Sequence, residues 1–164
     1  MDKSVHRLLY NVINKFIRIF GGTRFQSIDM PPKFSLMLVD DDADDQLIFM
    51  EALKNIGVAF SIQTARDGVD ALDIVNSVGF QLPDIAFFDL NMPRMNGKEL
   101  LTTLRNNPKF EQVPIIIFST SSRPEDINDC IRLGANAYLT KHGSFSYLCN
   151  DLKDVLNNHL IEVK

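Results

Sequence analysis

The sequence predicts an α/β protein, a doubly wound parallel sheet of five strands carrying five helices. Two observations predict it. From residue 34 onward, short apolar runs alternate five times with segments of helical period, and polar residues gather just past the ends of the runs. Parallel neighbours need crossover connections, usually helices, and strands covered on both faces lose their polar side, so strict alternation implies helices on both sides of the sheet.

The elements follow in order. The run 34–39 (FSLMLV) comes after Pro31-Pro32 and reads as the first strand, with a helix near 44–56 that Gly57 closes. A second run at 59–64 leads into a helix near 69–78, between Gly68 and Gly79. The run 85–88 (IAFF) is followed by a helix near 97–106, opened by Asn96-Gly97. The fourth run, 113–118, precedes a helix near 124–133 bounded by Pro124 and Gly134. The fifth, 137–140, leads to a helix near 145–159 after Ser144.

Size and composition suit one well-buried core with a short appendage. The chain has 164 residues, 45% hydrophobic and 23% charged. Lys15 and Arg18 interrupt the apolar stretch near the N-terminus, so no run reaches the length of a spanning helix, and a cytoplasmic location is expected. Cys130 and Cys149 show neither CxxC nor zinc spacing and read as small buried hydrophobes. The net charge of −4 is split unevenly: residues 1–29 carry +3 and residues 30–164 carry −7. An acidic domain without a basic stripe repels phosphate backbones, so no direct nucleic-acid binding is expected.

In doubly wound sheets the crevice lies beyond the carboxyl ends of the strands. There the sequence places Asp40, Asp41 and Asp42 after the first run, Asp89 after the third, Ser119, Thr120 and Ser121 at the end of the fourth, and Lys141 after the fifth. Gathered carboxylates repel, and a hard divalent cation with oxygen ligands is the usual remedy. Mg2+ fits, because it takes one or two carboxylates with waters and phosphate oxygens. A metal, an ammonium and a hydroxyl can together stabilise a transferring phosphoryl group while an Asp attacks as nucleophile. Taken singly, each residue has a plainer reading: Asp44 or Ser121 as a cap or turn, Lys141 as a solvated charge, Ser119 as a loop hydroxyl. Four strand ends converging is what favours chemistry. A calcium loop over residues 40–51 is set aside, because its required glycine is Asp45 and no helix precedes it.

These residues resemble the response-regulator receiver family over about residues 34–158. The carrying motifs are Val39-Asp40-Asp41, Asp89-Leu90-Asn91-Met92-Pro93 with Met95-Asn96-Gly97, the run 114–119 (PIIIFS), the stretch 134–141 (GANAYLTK), and 65–72 (ARDGVDAL). The resemblance implies a flavodoxin-like strand order 2-1-3-4-5. It implies that Asp89 is the phosphoacceptor, that Asp41 binds Mg2+ directly and Asp40 largely through water, and that Asn91 contributes its backbone carbonyl. Ser119 and Lys141 would contact the phosphoryl oxygens. Tyr138 would be the aromatic that turns inward as Ser119 moves, reshaping the face of the fourth helix, fifth strand and fifth helix. The implied partners are a histidine kinase or phosphotransfer protein and a downstream protein target, and the chain would be a switch rather than an enzyme.

The pattern departs from the family twice. His142 stands where the family usually has proline, and no output domain follows the last helix, so a stand-alone receiver acting by protein binding or onward phosphorelay is expected. Two other functions compete. A phosphohydrolase with an Asp nucleophile needs a second acid two residues on, where Asn91 stands. A phosphorylation-independent scaffold would have no reason to gather repelling carboxylates.

Residues 1–29 form a separate expected segment ahead of a receiver domain at 30–164. Val5, Leu8, Leu9, Val12, Ile13, Phe16, Ile17 and Phe20 recur at helical spacing opposite Arg7, Lys15 and Arg18, a basic amphipathic helix. Its apolar face needs a cover, and the candidates are a homodimer, a partner groove or peripheral contact with an anionic membrane through residues 5–20. A start of translation at Met30 is the plainer alternative.

Overall fold

The computed structural model of the protein describes residues 34–160. The amphipathic stretch at 5–20 lies outside the described residues. Strands β1 (Phe34–Val39), β2 (Phe60–Ala65), β3 (Ile85–Phe88), β4 (Ile115–Ser119) and β5 (Ala137–Thr140) form one sheet in the order β2-β1-β3-β4-β5. Every pairing in it is parallel. Helices α1 (Ala43–Asn55), α2 (Gly68–Val75), α3 (Gly97–Arg105) and α4 (Pro124–Arg132) make the crossovers, and α5 (Phe145–Leu160) follows the last strand. This is the expected flavodoxin-like order.

Alternation along the strands sorts the core into two layers. Met37, Val39, Ala86, Phe88, Ile115 and Ile117 face one side, where Ala71, Val75, Leu100, Leu104 and Cys130 of α2, α3 and α4 cover them. Leu36, Leu38, Ile85, Phe87, Ile116 and Phe118 face the other, under Phe49 and Leu53 of α1 and Leu152 and Leu156 of α5. A residue's side of the sheet is thus set by its parity in the strand. Phe49 packs edge-on to Phe87 at 4.9 Å between ring centroids and lies 5.6 Å from Phe118, so α1 is anchored directly beneath the start of the acidic turn. Cys130 and Cys149 are buried and unbridged. No helix among the described residues is long and apolar enough to cross a membrane.

Boundaries differ from the expected ones where backbone hydrogen bonding decides them. β4 starts at Ile115 rather than 113 because Pro114 has no N–H to donate; its carbonyl still accepts from Ala86 N at 2.9 Å. α2 stops at Val75, short of 78, because the Ser77 hydroxyl and N–H both turn back to the Ile74 carbonyl, at 2.7 and 3.1 Å. A short 3-10 helix, Pro108–Phe110, had no periodic signal; it seats Phe110 fully in the core.

Candidate functional site

The strand order reverses between β1 and β3, and the crevice at such a switch point is where doubly wound sheets bind ligands. Two backbone bonds set it up. Asp89 N donates to Val39 O at 2.8 Å, which places Asp89 beside Asp40 just past the paired strand ends. Across the sheet, Lys141 N donates to Ser119 O at 2.7 Å, so the lysine leaves β5 next to the hydroxyl that ends β4.

The side chains close the arrangement. Asp40, Asp89 and Ser119 are buried, at 1%, 5% and 0% exposure. Lys141 Nζ meets Asp40 Oδ2 at 2.7 Å and Asp45 Oδ2 at 2.8 Å, and lies 3.6 Å from Asp89 Oδ1. The remaining oxygens have partners too: Asp42 N donates to Asp40 Oδ1 at 3.1 Å, and Asn91 N to Asp89 Oδ2 at 2.8 Å. Burial pushes the Asp40 carboxyl above the ordinary carboxylate value, against the pull of Lys141 and of the Asp42 amide. Burial would depress the Lys141 ammonium, but Asp40 and Asp45 together lift it above its ordinary value. The lysine therefore stays charged between the buried Asp40 and the half-exposed Asp45.

The three consecutive acids part company. Asp40 points into the site, Asp41 is exposed, and Asp42 is the N-cap of α1, accepting from Asp44 N at 2.8 Å and Asp45 N at 3.3 Å. Asp44 is exposed and supplies only its amide to this cap. Among the described residues no group of three or more His, Cys, Asp and Glu side chains stands ready as a metal cage.

The loop after β3 is braced from both sides. A Cβ on Gly97 would run into the Asp89 carbonyl oxygen and lie 3.0 Å from both Asp89 C and Leu90 Cα, so glycine is required for α3 to start this close to Asp89. Asn96 and Glu99 form a capping box that opens α3 there. Arg94, at φ 59°, reaches Asp67 with Nε at 2.6 Å, and Asp67 caps α2 by accepting from Val69 N and Asp70 N. Asn91, between these braces, is exposed.

Tyr138 is half-buried against the α2–α4 side of the core and donates its hydroxyl to Ser121 O at 2.7 Å. Burial raises its phenol pKa. The peptide between Lys141 and His142 is trans, since no described peptide bond is cis. Sequence reasoning missed Asp45 and Gln46, which reach back from α1; Gln46 Nε2 donates to Asp40 O at 2.7 Å. It also passed over Asp126. No strand-end rule points at residues recruited from helix faces.

Comparison with known proteins agrees with this geometry. The family model described as the response regulator receiver domain matches residues 36–153. Response regulator Rcp1 of Synechocystis sp. is 31% identical over 115 residues, which cover 68% of this chain and 78% of that protein. The solved structure of the phosphorylated cyanobacterial phytochrome response regulator RcpA superposes with a TM-score of 0.72 at 29% identity, covering 80% of this chain and 96% of that one. The Mn2+-bound form of Rcp1 superposes with a TM-score of 0.70 at 25% identity, covering 80% and 97%. The family match spans more than half of the sequence and contains all four converging strand ends, and on that ground this chain belongs to the response regulator receiver domain family.

Proposed function

We propose that this receiver takes a phosphoryl group onto Asp89 in a Mg2+-dependent step, from the phosphohistidine of a histidine kinase or phosphotransfer protein or from a small phosphodonor. The observation that carries the reading is the Lys141 ammonium held between Asp40 and Asp45 and 3.6 Å from Asp89 Oδ1. A mostly covered cation beside two buried carboxylates, with a buried hydroxyl at the next strand end, is a charge arrangement suited to phosphoryl oxygens.

The donor set fits Mg2+ in kind. Asp40, Asp41 and Asp89 supply carboxylates and Asn91 a main-chain carbonyl, all hard oxygens, and Mg2+ needs only one or two carboxylates with waters. When bound it would neutralise the acids and polarise the phosphoryl group. The chain's own residues do the rest. An Asp89 carboxylate oxygen forms the new P–O bond as the donor's P–N bond breaks, and the imidazole leaves with the electron pair. Lys141 offsets charge on the phosphoryl oxygens, and the Ser119 hydroxyl donates to one of them. The aspartyl phosphate then draws Ser119 inward and alters what Tyr138 and the face of α4, β5 and α5 present to a downstream protein or the next relay carrier. Leu47, Ile48 and Phe145 are exposed on α1 and α5, an apolar surface for a donor protein.

Incubation with Mg2+ and acetyl phosphate, followed by intact-mass measurement, tests the reading. The wild type gains one phosphoryl group, whereas Asp89→Asn gains none and melts no lower, because the change relieves carboxylate repulsion. Equal uptake by Asp89→Asn sinks the assignment.

A further inference from the structure

Outside the phosphoryl site, the densest ionic cluster among the described residues centres on Asp126, in the first turn of α4. This carboxylate is 7% exposed and takes donors from three directions. Lys98 Nζ on α3 lies at 2.9 Å, Ser121 Oγ at 2.7 Å, and Arg123 Nε at 2.9 Å with a second Arg123 nitrogen at 2.7 Å. Lys98 also holds Asp129, at 3.0 Å. Asp126 does not cap its helix, because the N-cap is Arg123 and makes no side-chain cap bond. Its role lies in what it grips. Ion pairs to partly exposed cations add little net stability, which favours a positional reading of such a cluster.

Ser121 connects the cluster to the phosphoryl site. Its hydroxyl is held by Asp126, its carbonyl accepts the Tyr138 hydroxyl at 2.7 Å, and its N–H donates to Ser119 Oγ at 3.4 Å. A serine hydroxyl has a single proton, so with its oxygen accepting from Ser121, Ser119 has that proton to donate, and the Tyr138 phenol oxygen within its reach is what a phosphoryl oxygen would replace. At 3.4 Å the bond from Ser121 is already long, and a loop shift of a few tenths of an ångström either tightens it or removes it.

We propose that Asp126 is a positioning residue for phosphoryl transfer: by gripping the Ser121 hydroxyl it fixes the loop after β4 so that one residue both orients Ser119 and supplies the acceptor of Tyr138. This rests on the phosphoacceptor reading above. It predicts that the grip on Ser121, and not the bridge from α3 to α4, sets the state of the switch.

The test uses the full chain labelled with 3-fluorotyrosine, with Tyr138→Phe assigning the Tyr138 resonance, and the rate of phosphoryl uptake from acetyl phosphate with Mg2+. Ser121→Ala and Asp126→Leu, which removes the acceptor, should both move the Tyr138 fluorine signal and slow uptake about fivefold, the kinetic equivalent of one lost neutral hydrogen bond. Ser121→Thr, which keeps the hydroxyl, should behave as wild type. Lys98→Met breaks the α3 bridge but leaves Ser121 on Asp126, and should keep both the signal and the rate. Ser121→Ala with a wild-type signal and rate overturns the proposal, even if Asp126→Leu fails to fold. Lys98→Met reproducing the loss seen in Ser121→Ala overturns it as well, since helix docking would then be the cause. A wild type that takes up no phosphoryl group instead overturns the phosphoacceptor reading itself.

Discussion

Gly97 is the position where a single methyl group should do most damage to the site. The Cβ of an alanine there would collide with the Asp89 carbonyl oxygen and stand 3.0 Å from Asp89 C and Leu90 Cα. All three atoms are backbone, so no flexible side chain can give way. Overpacking of this kind costs about 1–3 kcal/mol, and the rigid neighbours put the value at the upper end. Alanine's better helix propensity returns at most about 1 kcal/mol at this first helical position, so the collision wins. A net loss of about 1–2 kcal/mol lowers Tm by about 2–8 °C in a chain of this size.

The functional effect should exceed the effect on stability. Relief of the collision must move either α3 or the backbone of Asp89, and displacement of a reacting group by about 1 Å can cost 10²-fold in rate. Phosphoryl uptake by Gly97→Ala, followed by intact mass under conditions where the variant is fully folded, should fall by about tenfold or more. Gly143→Ala is the matched control. Its methyl meets nothing within 4 Å, and stability should hold or rise by about 0.4–1 kcal/mol. A Gly97→Ala variant that melts within about 1 °C of wild type and accepts phosphoryl at the wild-type rate refutes the reasoning.

Mg2+ at roughly ten times its Kd should add about 1.4 kcal/mol to the unmodified protein and raise Tm by about 3–6 °C. Asp41→Ala should lose that shift, and thermal melts in which it keeps the full shift remove Asp41 from the metal site. In Mg2+-free buffer at pH 7, Lys141→Met should be destabilised by about 3–5 kcal/mol, because Asp40 is left buried and unpaired. Burial already raises the Asp40 pKa, and a raised carboxyl contributes stability at low pH that is lost as pH rises through its folded pKa. The deficit of Lys141→Met should therefore shrink on acidification, and chemical denaturation showing a pH-independent deficit contradicts the pairing. If the 5–20 segment covers its apolar face with a second copy, light scattering should find the full chain dimeric and residues 30–164 monomeric. Equal monomer masses at tens of micromolar exclude self-association.

Much of the fold was legible because strand ends are backbone facts. An apolar run of four to six residues, then a polar one, locates the rim of a parallel sheet whatever the side chains do later. Asp40, Asp89, Ser119 and Lys141 could therefore be placed together before any coordinates, although 101 positions separate the first from the last. Burial ends just past β1, whose two faces are both covered: Asp40 is still buried and Asp41 is exposed.

The illegible residues act by side-chain reach across elements. Asp45 belongs to α1 yet pairs with Lys141, 96 residues away, and Asp126 belongs to α4 yet takes Lys98 from α3. In sequence each is one more acid in the first turn of a helix, where acids are common for the sake of the helix dipole. Ser121 shows the limit most clearly. Alone it reads as a turn hydroxyl, and its local bond to the carboxylate five residues on agrees with that reading. The Ser121 N–H on Ser119 Oγ, and the Tyr138 hydroxyl arriving from β5 at the Ser121 carbonyl, give that turn a consequence for the site. On the proposed reading the switch is assembled from four groups that strand ends dictate and one turn whose position depends on a helix-borne acid. Substitutions at Asp126 or Ser121 should therefore alter signalling while leaving the phosphoacceptor motif intact.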